Sequence, residues 1–205
     1  MRFSKSLACA LAPVAIIASA QPANAADTSA DLARVRQHIT SVDTMTADFV
    51  QTDARGRSAA GTLQLKRPGR VRFQYGSGDL LLVADGKRLW FLDYQVGQKN
   101  SWALDKTPLG MLLADNPDVK KIGRIIPNDD KRILVVRTSS SGIIGTGTLV
   151  LAFLRSPDAP GGLQLYGWTA IDAQNKKTTV RLSNVRYNVP VSDATFSFKM
   201  PVKRH

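Results

Sequence analysis

The sequence predicts a mainly β chain, an antiparallel meander curling into a barrel or half-barrel, and three observations carry that reading. From Met45 onward apolar residues recur with a period of two in one segment after another, the pattern of strands with one buried and one solvated face. Turn chemistry separates the segments at Pro68-Gly69, Gly76-Ser77-Gly78, Asp85-Gly86, Asn128-Asp129-Asp130, Pro160-Gly161-Gly162 and Asn175-Lys176, so roughly ten short strands follow one another by hairpins. All 16 acidic residues are Asp; the absence of Glu, the better helix former, mildly favours a β-rich chain.

Residues 1–25 look like an export signal. Arg2 and Lys5 precede an apolar stretch from Leu7 to Ala20, and Ala23-Asn24-Ala25 supplies a small-x-small cleavage site. The stretch is shorter than the roughly 20 apolar residues a membrane-spanning helix needs, and nothing later approaches that length, so a soluble mature chain is expected. Cleavage after Ala25 leaves residues 26–205, a length suited to one domain. The one cysteine, Cys9, falls in the signal, so no disulfide or cysteine-based metal site is expected after processing. A lipoprotein signal at Cys9 is the alternative, but almost no hydrophobic stretch precedes it. The whole chain carries net charge +12, and an exported basic protein meets anionic surfaces or acidic partners.

An amphipathic helix is predicted over Asp31 to Val42, with Leu32, Val35, Ile39 and Val42 at helical spacing. Strands follow on Met45, Ala47 and Phe49; on Leu63 and Leu65; on Val71, Phe73 and Tyr75; on Leu149, Leu151 and Phe153; on Val185, Tyr187 and Val189; and on Phe196 and Phe198. Residues 107–117, TPLGMLLADNP, interrupt the rhythm. Thr107 can cap a helix, Pro108 suits its first turn, and Asn116-Pro117 stops it. Such a short helix needs a packing partner, either as a core plug at a barrel end or as a removable lid over an apolar cavity.

Tools for catalysis are scarce. His38, beside the helix's apolar face, and His205 have no obvious partner, and no G-x-S-x-G elbow occurs. The run Gly142 to Gly147 lacks the Lys of a phosphate loop and reads as a turn. A carboxylate pair for glycoside hydrolysis would have to come from Asp residues that mostly sit in turns. The basic stretch LQLKRPGRVRFQY, residues 63–75, superficially mixes cations with aromatics as a nucleic-acid groove does. Alternation separates them: Arg70 and Arg72 share one strand face, and Val71, Phe73 and Tyr75 the other. Arg67, before Pro68-Gly69 at a strand end, could reach backbone carbonyls across a barrel mouth or stand as a solvated rim charge.

Several pieces taken in order resemble the LolA family of periplasmic outer-membrane lipoprotein carriers. They are Phe49-x-Gln51, Gly61-x-Leu63-x-Leu65-Lys66-Arg67-Pro68, Val83-Ala84-Asp85-Gly86-Lys87-x-Leu89-Trp90, Thr107-Pro108-Leu109 with Leu112-Leu113, and Phe196-x-Phe198-x-x-Pro201. The resemblance implies an incomplete antiparallel β-barrel of about eleven strands with an N-terminal helix and a short helical lid over a hydrophobic cavity that shelters acyl chains. It implies that Arg67 latches the lid, that Leu109, Met111, Leu112, Leu113 and Ala114 form the lid, and that Arg70 and Arg72 present an outward basic face. Val71 falls in the family's region of contact with the release complex. The cavity wall is expected from Phe49, Leu63, Leu65, Val71, Phe73 and Tyr75 on the early strands, Leu81, Val83, Trp90 and Trp102 on the next, and Leu149, Leu151, Phe153 and Trp168 on the later ones. Two departures from the family pattern stand out: Gly110 adds a residue to the lid, which should loosen or re-register it, and the chain ends soon after Pro201.

By that resemblance the function is a periplasmic chaperone that takes lipoproteins released from the inner membrane to the outer membrane. It is expected to work as a monomer, without enzymatic activity, cofactor, metal or nucleic acid. Its partners would be acylated lipoproteins, the inner-membrane lipoprotein-releasing ABC transporter complex and an outer-membrane acceptor. The alternatives are a LolA-like lipid sensor, the outer-membrane acceptor itself, or an envelope lipid or glycan enzyme.

Overall fold

The structure is a computed structural model describing residues 23–76, 78–113, 123–142, 145–172 and 174–202; the core of the expected export signal and Ala114 lie outside these residues. Helix α1 (Ala23–Ser41) leads into β1 (Thr44–Thr52), β2 (Ser58–Lys66), β3 (Arg70–Tyr75), β4 (Leu80–Asp85), β5 (Arg88–Asp93) and β6 (Gln98–Ala103). A 3₁₀ turn, Leu104–Lys106, precedes helix α2 (Pro108–Leu113). Then come β7 (Gly123–Ile126), β8 (Ile133–Gly142), β9 (Gly145–Arg155), β10 (Leu163–Ile171) and β11 (Lys177–Tyr187).

All eleven strands belong to one antiparallel sheet in the order β6-β5-β4-β3-β2-β1-β11-β10-β9-β8-β7. Two meanders, β1–β6 and β7–β11, are therefore joined through the β1–β11 ladder, which runs from Met45 opposite Tyr187 to Thr52 opposite Thr179. The barrel is incomplete, as the family resemblance implies, because β6 and β7 end the sheet with no further strand paired to them among the described residues.

Helix α1 begins eight residues before the predicted start. Its stripe of Leu32, Val35 and Ile39 packs on Leu134, Val136, Leu149, Leu151, Phe153 and Leu163 of the later meander, and complete burial of a side chain such as Val35 stabilises by roughly 1.5–3 kcal/mol. Three polar contacts set its position. Asp31 accepts from both Arg155 Nη1 at 2.9 Å and Nη2 at 2.8 Å. His38 Nδ1 donates to the Pro160 carbonyl at 2.9 Å. At the C-terminal end, Asn188 Nδ2 donates to Ser41 O at 2.9 Å while its Oδ1 accepts from the Asp43 amide at 2.9 Å, satisfying groups that the last helical turn leaves unpaired. The helix lies so close to the β9–β10 turn that a Cβ on Gly161, at φ 66°, would stand 2.6 Å from the His38 nitrogen, so only glycine fits there.

The other face of the sheet is covered in part by the segment after β11. Val191 and Phe196 are buried, and Phe198 packs with Trp90 on the cluster Leu81, Val83 and Leu92. No helix among the described residues is long and apolar enough to cross a membrane.

Candidate functional site

The inward faces of both meanders, the C-terminal half of α1 and helix α2 enclose a cavity of about 80 Å³. Its wall takes His38, Ile39 and Val42 from α1 and its end, Met45 from β1, Leu63 and Leu65 from β2, and Val71 and Phe73 from β3. Leu149, Leu151 and Phe153 of β9, Leu165 and Trp168 of β10, and Leu109 and Leu113 of α2 complete it, with Arg67 at the strand end. Apart from His38 and Arg67 these side chains are hydrocarbon, thioether or aromatic, so the space offers apolar contact and few directional anchors.

Alternation accounts for most of this wall. Leu63 opposes Phe73 and Leu65 opposes Val71 across the β2–β3 ladder, and residues directly opposite share a face. In β10 the register shifts between Leu165 and Gly167, and this bulge turns both Leu165 and Trp168 inward although they are three residues apart. Phe73 and Trp168 then meet edge to face, with ring centroids 5.9 Å apart. Phe49 and Tyr75 sit in the core beside the cavity, 5.0 Å apart by centroids, behind the residues that line it.

Four of the expected wall residues lie elsewhere. Leu81, Val83 and Trp90 face the opposite side of the sheet, under Phe198. The reason is visible in β4: Leu80-Leu81-Leu82-Val83-Ala84 is apolar throughout because both faces are covered, so the run carries no alternation from which to choose a face. Trp102 opposes Leu89 on the edge strand β6, on the inward side by register but away from the cavity. The residues of α1 and its end that line the cavity, and Met45 and Leu165, were not among the expected wall residues, although the helix stripe and the alternation of β1 and β10 mark their inward faces.

Helix α2 forms where the local signals predict a helix. Thr107 Oγ1 accepts from the Gly110 amide at 3.0 Å and donates to Leu104 O at 2.8 Å, so one buried hydroxyl joins the 3₁₀ turn to α2. Gly110 has a physical role that contradicts a loosening insertion: a Cβ there would come 1.9 Å from Leu104 O, and its absence lets α2 sit directly on the 3₁₀ turn. Leu113 is 1 % exposed, and its carbonyl accepts from the Gly69 amide at 3.0 Å. The side chains of Met111 and Leu112 lie outside the described residues.

Arg67 stands at the cavity mouth. Its Nε donates to Val42 O at 3.0 Å and its amide to Asp43 O at 2.8 Å, which ties the β2 end to the end of α1. The adjacent basic residues do lie on the outward face, but they are engaged there. Lys66 Nζ and Arg70 Nη1 both reach Asp193 Oδ1, at 2.5 and 2.8 Å. Arg72 Nη1 donates to Thr195 O and Ser197 O, each at 3.2 Å. Arg70 and Arg72 do point away from the cavity, but they fasten the segment after β11 across that side. His38 is 4 % exposed and lies edge-on to Phe153 and Tyr187, with centroids 5.3 and 5.2 Å away. Burial holds its imidazole below its ordinary pKa of 6.5 despite the Pro160 hydrogen bond, and the Arg67 charge acts in the same direction.

An open antiparallel half-barrel around an apolar space, capped by a short helix, defines a binding protein for apolar ligands. Residues 40–199 match the family model of the outer membrane lipoprotein carrier protein LolA, and the chain belongs to that family. It is 29% identical over 184 residues to the outer-membrane lipoprotein carrier protein of Haemophilus influenzae, covering 85% of this chain and 83% of that one. With the protein of the same name from Bordetella avium it shares 24% identity over 200 residues, 93% of this chain and 92% of that one. A solved LolA superfamily protein from Nitrosomonas europaea superposes with TM-score 0.47 at 12% identity, over 83% of this chain and 97% of that one.

Proposed function

We propose that this protein is a periplasmic carrier that shelters the acyl chains of lipoproteins released from the inner membrane and delivers them to the outer membrane. The observation that carries the reading is the apolar cavity beneath α2. Each buried methylene contributes about 0.8 kcal/mol, so acylated protein needs such a shelter in water, and a wall without strong anchors lets the cargo leave again. At about 80 Å³ the space is smaller than the roughly 150 Å³ cavity that takes a single benzene. Loading therefore requires α2 to lift and the wall to spread, and Arg67, at the mouth, acts as the latch on that movement. The mature domain spans residues 26–205 after removal of the export signal. It receives cargo from an ATP-driven releasing complex in the inner membrane, passes it to an outer-membrane acceptor, and performs no chemistry of its own.

The test is mass spectrometry of ligands that co-purify with the protein from the periplasm, alongside displacement of a bound apolar dye. Triacylated lipoprotein among the ligands, and displacement by acylated but not unacylated peptide, are the expected results. Equal displacement by both peptides would mean that the dye reports a surface patch, and the carrier reading would fall.

A further inference from the structure

The outer face of the half-barrel is divided. Over β2–β5 it is covered by the segment after β11, whereas over β7–β10, β11 and β1 none of the described residues covers the strands. Ladder register places two rows of side chains side by side on this bare half. One runs Arg124, Arg137, Val150, Thr169 and Thr179; the next runs Ile126, Val135, Ala152, Gly167, Arg181 and Val50. Ile126, Val50 and Tyr166 are 37, 46 and 40% exposed, and Arg124, Arg137, Arg181 and Arg186 are all exposed. None of these four arginines has a carboxylate or hydrogen-bond partner among the described residues. On the described residues of these strands the only acid is Asp48, which already accepts from Asn184 Nδ2 at 2.7 Å. Arg124 and Arg137 are directly opposite one another, an arrangement of like charges that destabilises a sheet unless an anion lies between them.

We propose that this bare half of the outer face is a docking surface for an anionic phospholipid bilayer. A broad sheet face that interleaves unpaired guanidinium groups with aliphatic side chains and one exposed tyrosine matches the headgroup region, where phosphates meet cations and tyrosine rings sit at the boundary with hydrocarbon. An acidic protein partner would be served by the charges but has no use for the aliphatic row between them. Docking on this face leaves α2 and the cavity mouth, on the inward side of the sheet, free to work while the protein rests on a membrane.

Co-sedimentation of the mature chain with vesicles of phosphatidylglycerol and phosphatidylcholine, against vesicles of phosphatidylcholine alone, tests the proposal. Binding to the anionic vesicles only is expected, weakening as salt is raised. The double variant Arg124→Ser with Arg137→Ser should bind on the order of tenfold more weakly, while Lys87→Ser with Lys99→Ser, which removes equal charge from the other half, should change binding less than about twofold. Ile126→Ser with Tyr166→Ser should remove the binding that survives at high salt. Both charge variants should keep the cavity's dye affinity, which separates this surface from the carrier reading, and Arg124→Ser with Arg137→Ser should unfold at a midpoint no lower than the wild type, because it relieves the facing like charges. Equal losses in the two charge variants would reduce the effect to net charge, and undiminished binding to neutral vesicles would assign it to acyl capture in the cavity. Failure to bind vesicles, with binding to an acidic protein instead, would give the surface to a protein partner. Each of these results overturns the proposal.

Discussion

Arg67 and His38 are the two polar side chains of an otherwise apolar wall, and each answers to a different experiment. Arg67→Leu removes the hydrogen bond to Val42 O that ties the β2 end to the end of α1, two residues from the Gly69 amide that holds Leu113 O; a bond from a charged donor contributes about 1.5–3 kcal/mol, enough, under the proposed latch role, to change opening of the cavity mouth by a factor of ten or more. Amide exchange at Leu113 should accelerate and cargo release should change, with Arg67→Lys, which loses the planar fork, restoring only part of the effect. If both readouts stay fixed in Arg67→Leu and move in Arg70→Leu, the latch belongs to the other arginine. His38 has a lowered pKa because it is buried, so below pH 6.5 the unfolded chain takes up a proton that the folded ring refuses. Its contribution is intact above that pH and is lost as pH falls through the range between the unfolded and folded values. Urea midpoints measured from pH 8 to pH 5 should fall more steeply for the wild type than for His38→Gln, and parallel curves would remove His38 as the cause.

Helix α2 shows how a local clash can outweigh propensity. Alanine is favoured over glycine in a helix by about 1 kcal/mol, yet a Cβ at Gly110 would press on Leu104 O, and overpacking costs about 1–3 kcal/mol. Gly110→Ala should therefore unseat α2, speeding dye entry and lowering the thermal midpoint; a midpoint that rises would mean the contact relaxes at no cost. The same element was legible in the sequence because its signals are local: a capping Thr, a Pro in the first turn, and the amide of Gly110 within reach of the hydroxyl. Strand β3 was legible too, since Val71, Phe73 and Tyr75 face inward while Arg70, Gln74 and Arg72 do not. β4 was not, because a strand covered on both faces loses its period. The segment after β11 hid for a related reason: it binds through its carbonyls, Asp193 and Phe196, and an irregular strap has no repeat to detect. That is why the partners of Arg70 and Arg72 on the outward face are not visible in the sequence.

At the scale of the whole molecule that strap ties residues 191–199 to the first meander, and Phe196, 5 % exposed, is its buried anchor, with the Arg70 guanidinium 5.9 Å from the ring centroid. The pairs to Asp193 are exposed to solvent and contribute little, so the apolar contacts of Val191, Phe196 and Phe198 carry most of the attachment. Phe196→Ala should destabilise by about 3 kcal/mol in a urea titration, whereas Asp193→Asn should shift the midpoint only slightly; the reverse order would make the strap electrostatic. The two sheet edges, β6 and β7 among the described residues, complete the picture. A closed barrel has its bore fixed by strand number and stagger, and widening it means tearing hydrogen bonds between neighbouring strands. Here β6 and β7 are joined by no ladder among the described residues, so the sheet can unroll like a sheet of paper released at one seam, and the space inside can grow to the girth of its contents while the backbone pairs between neighbouring strands stay made.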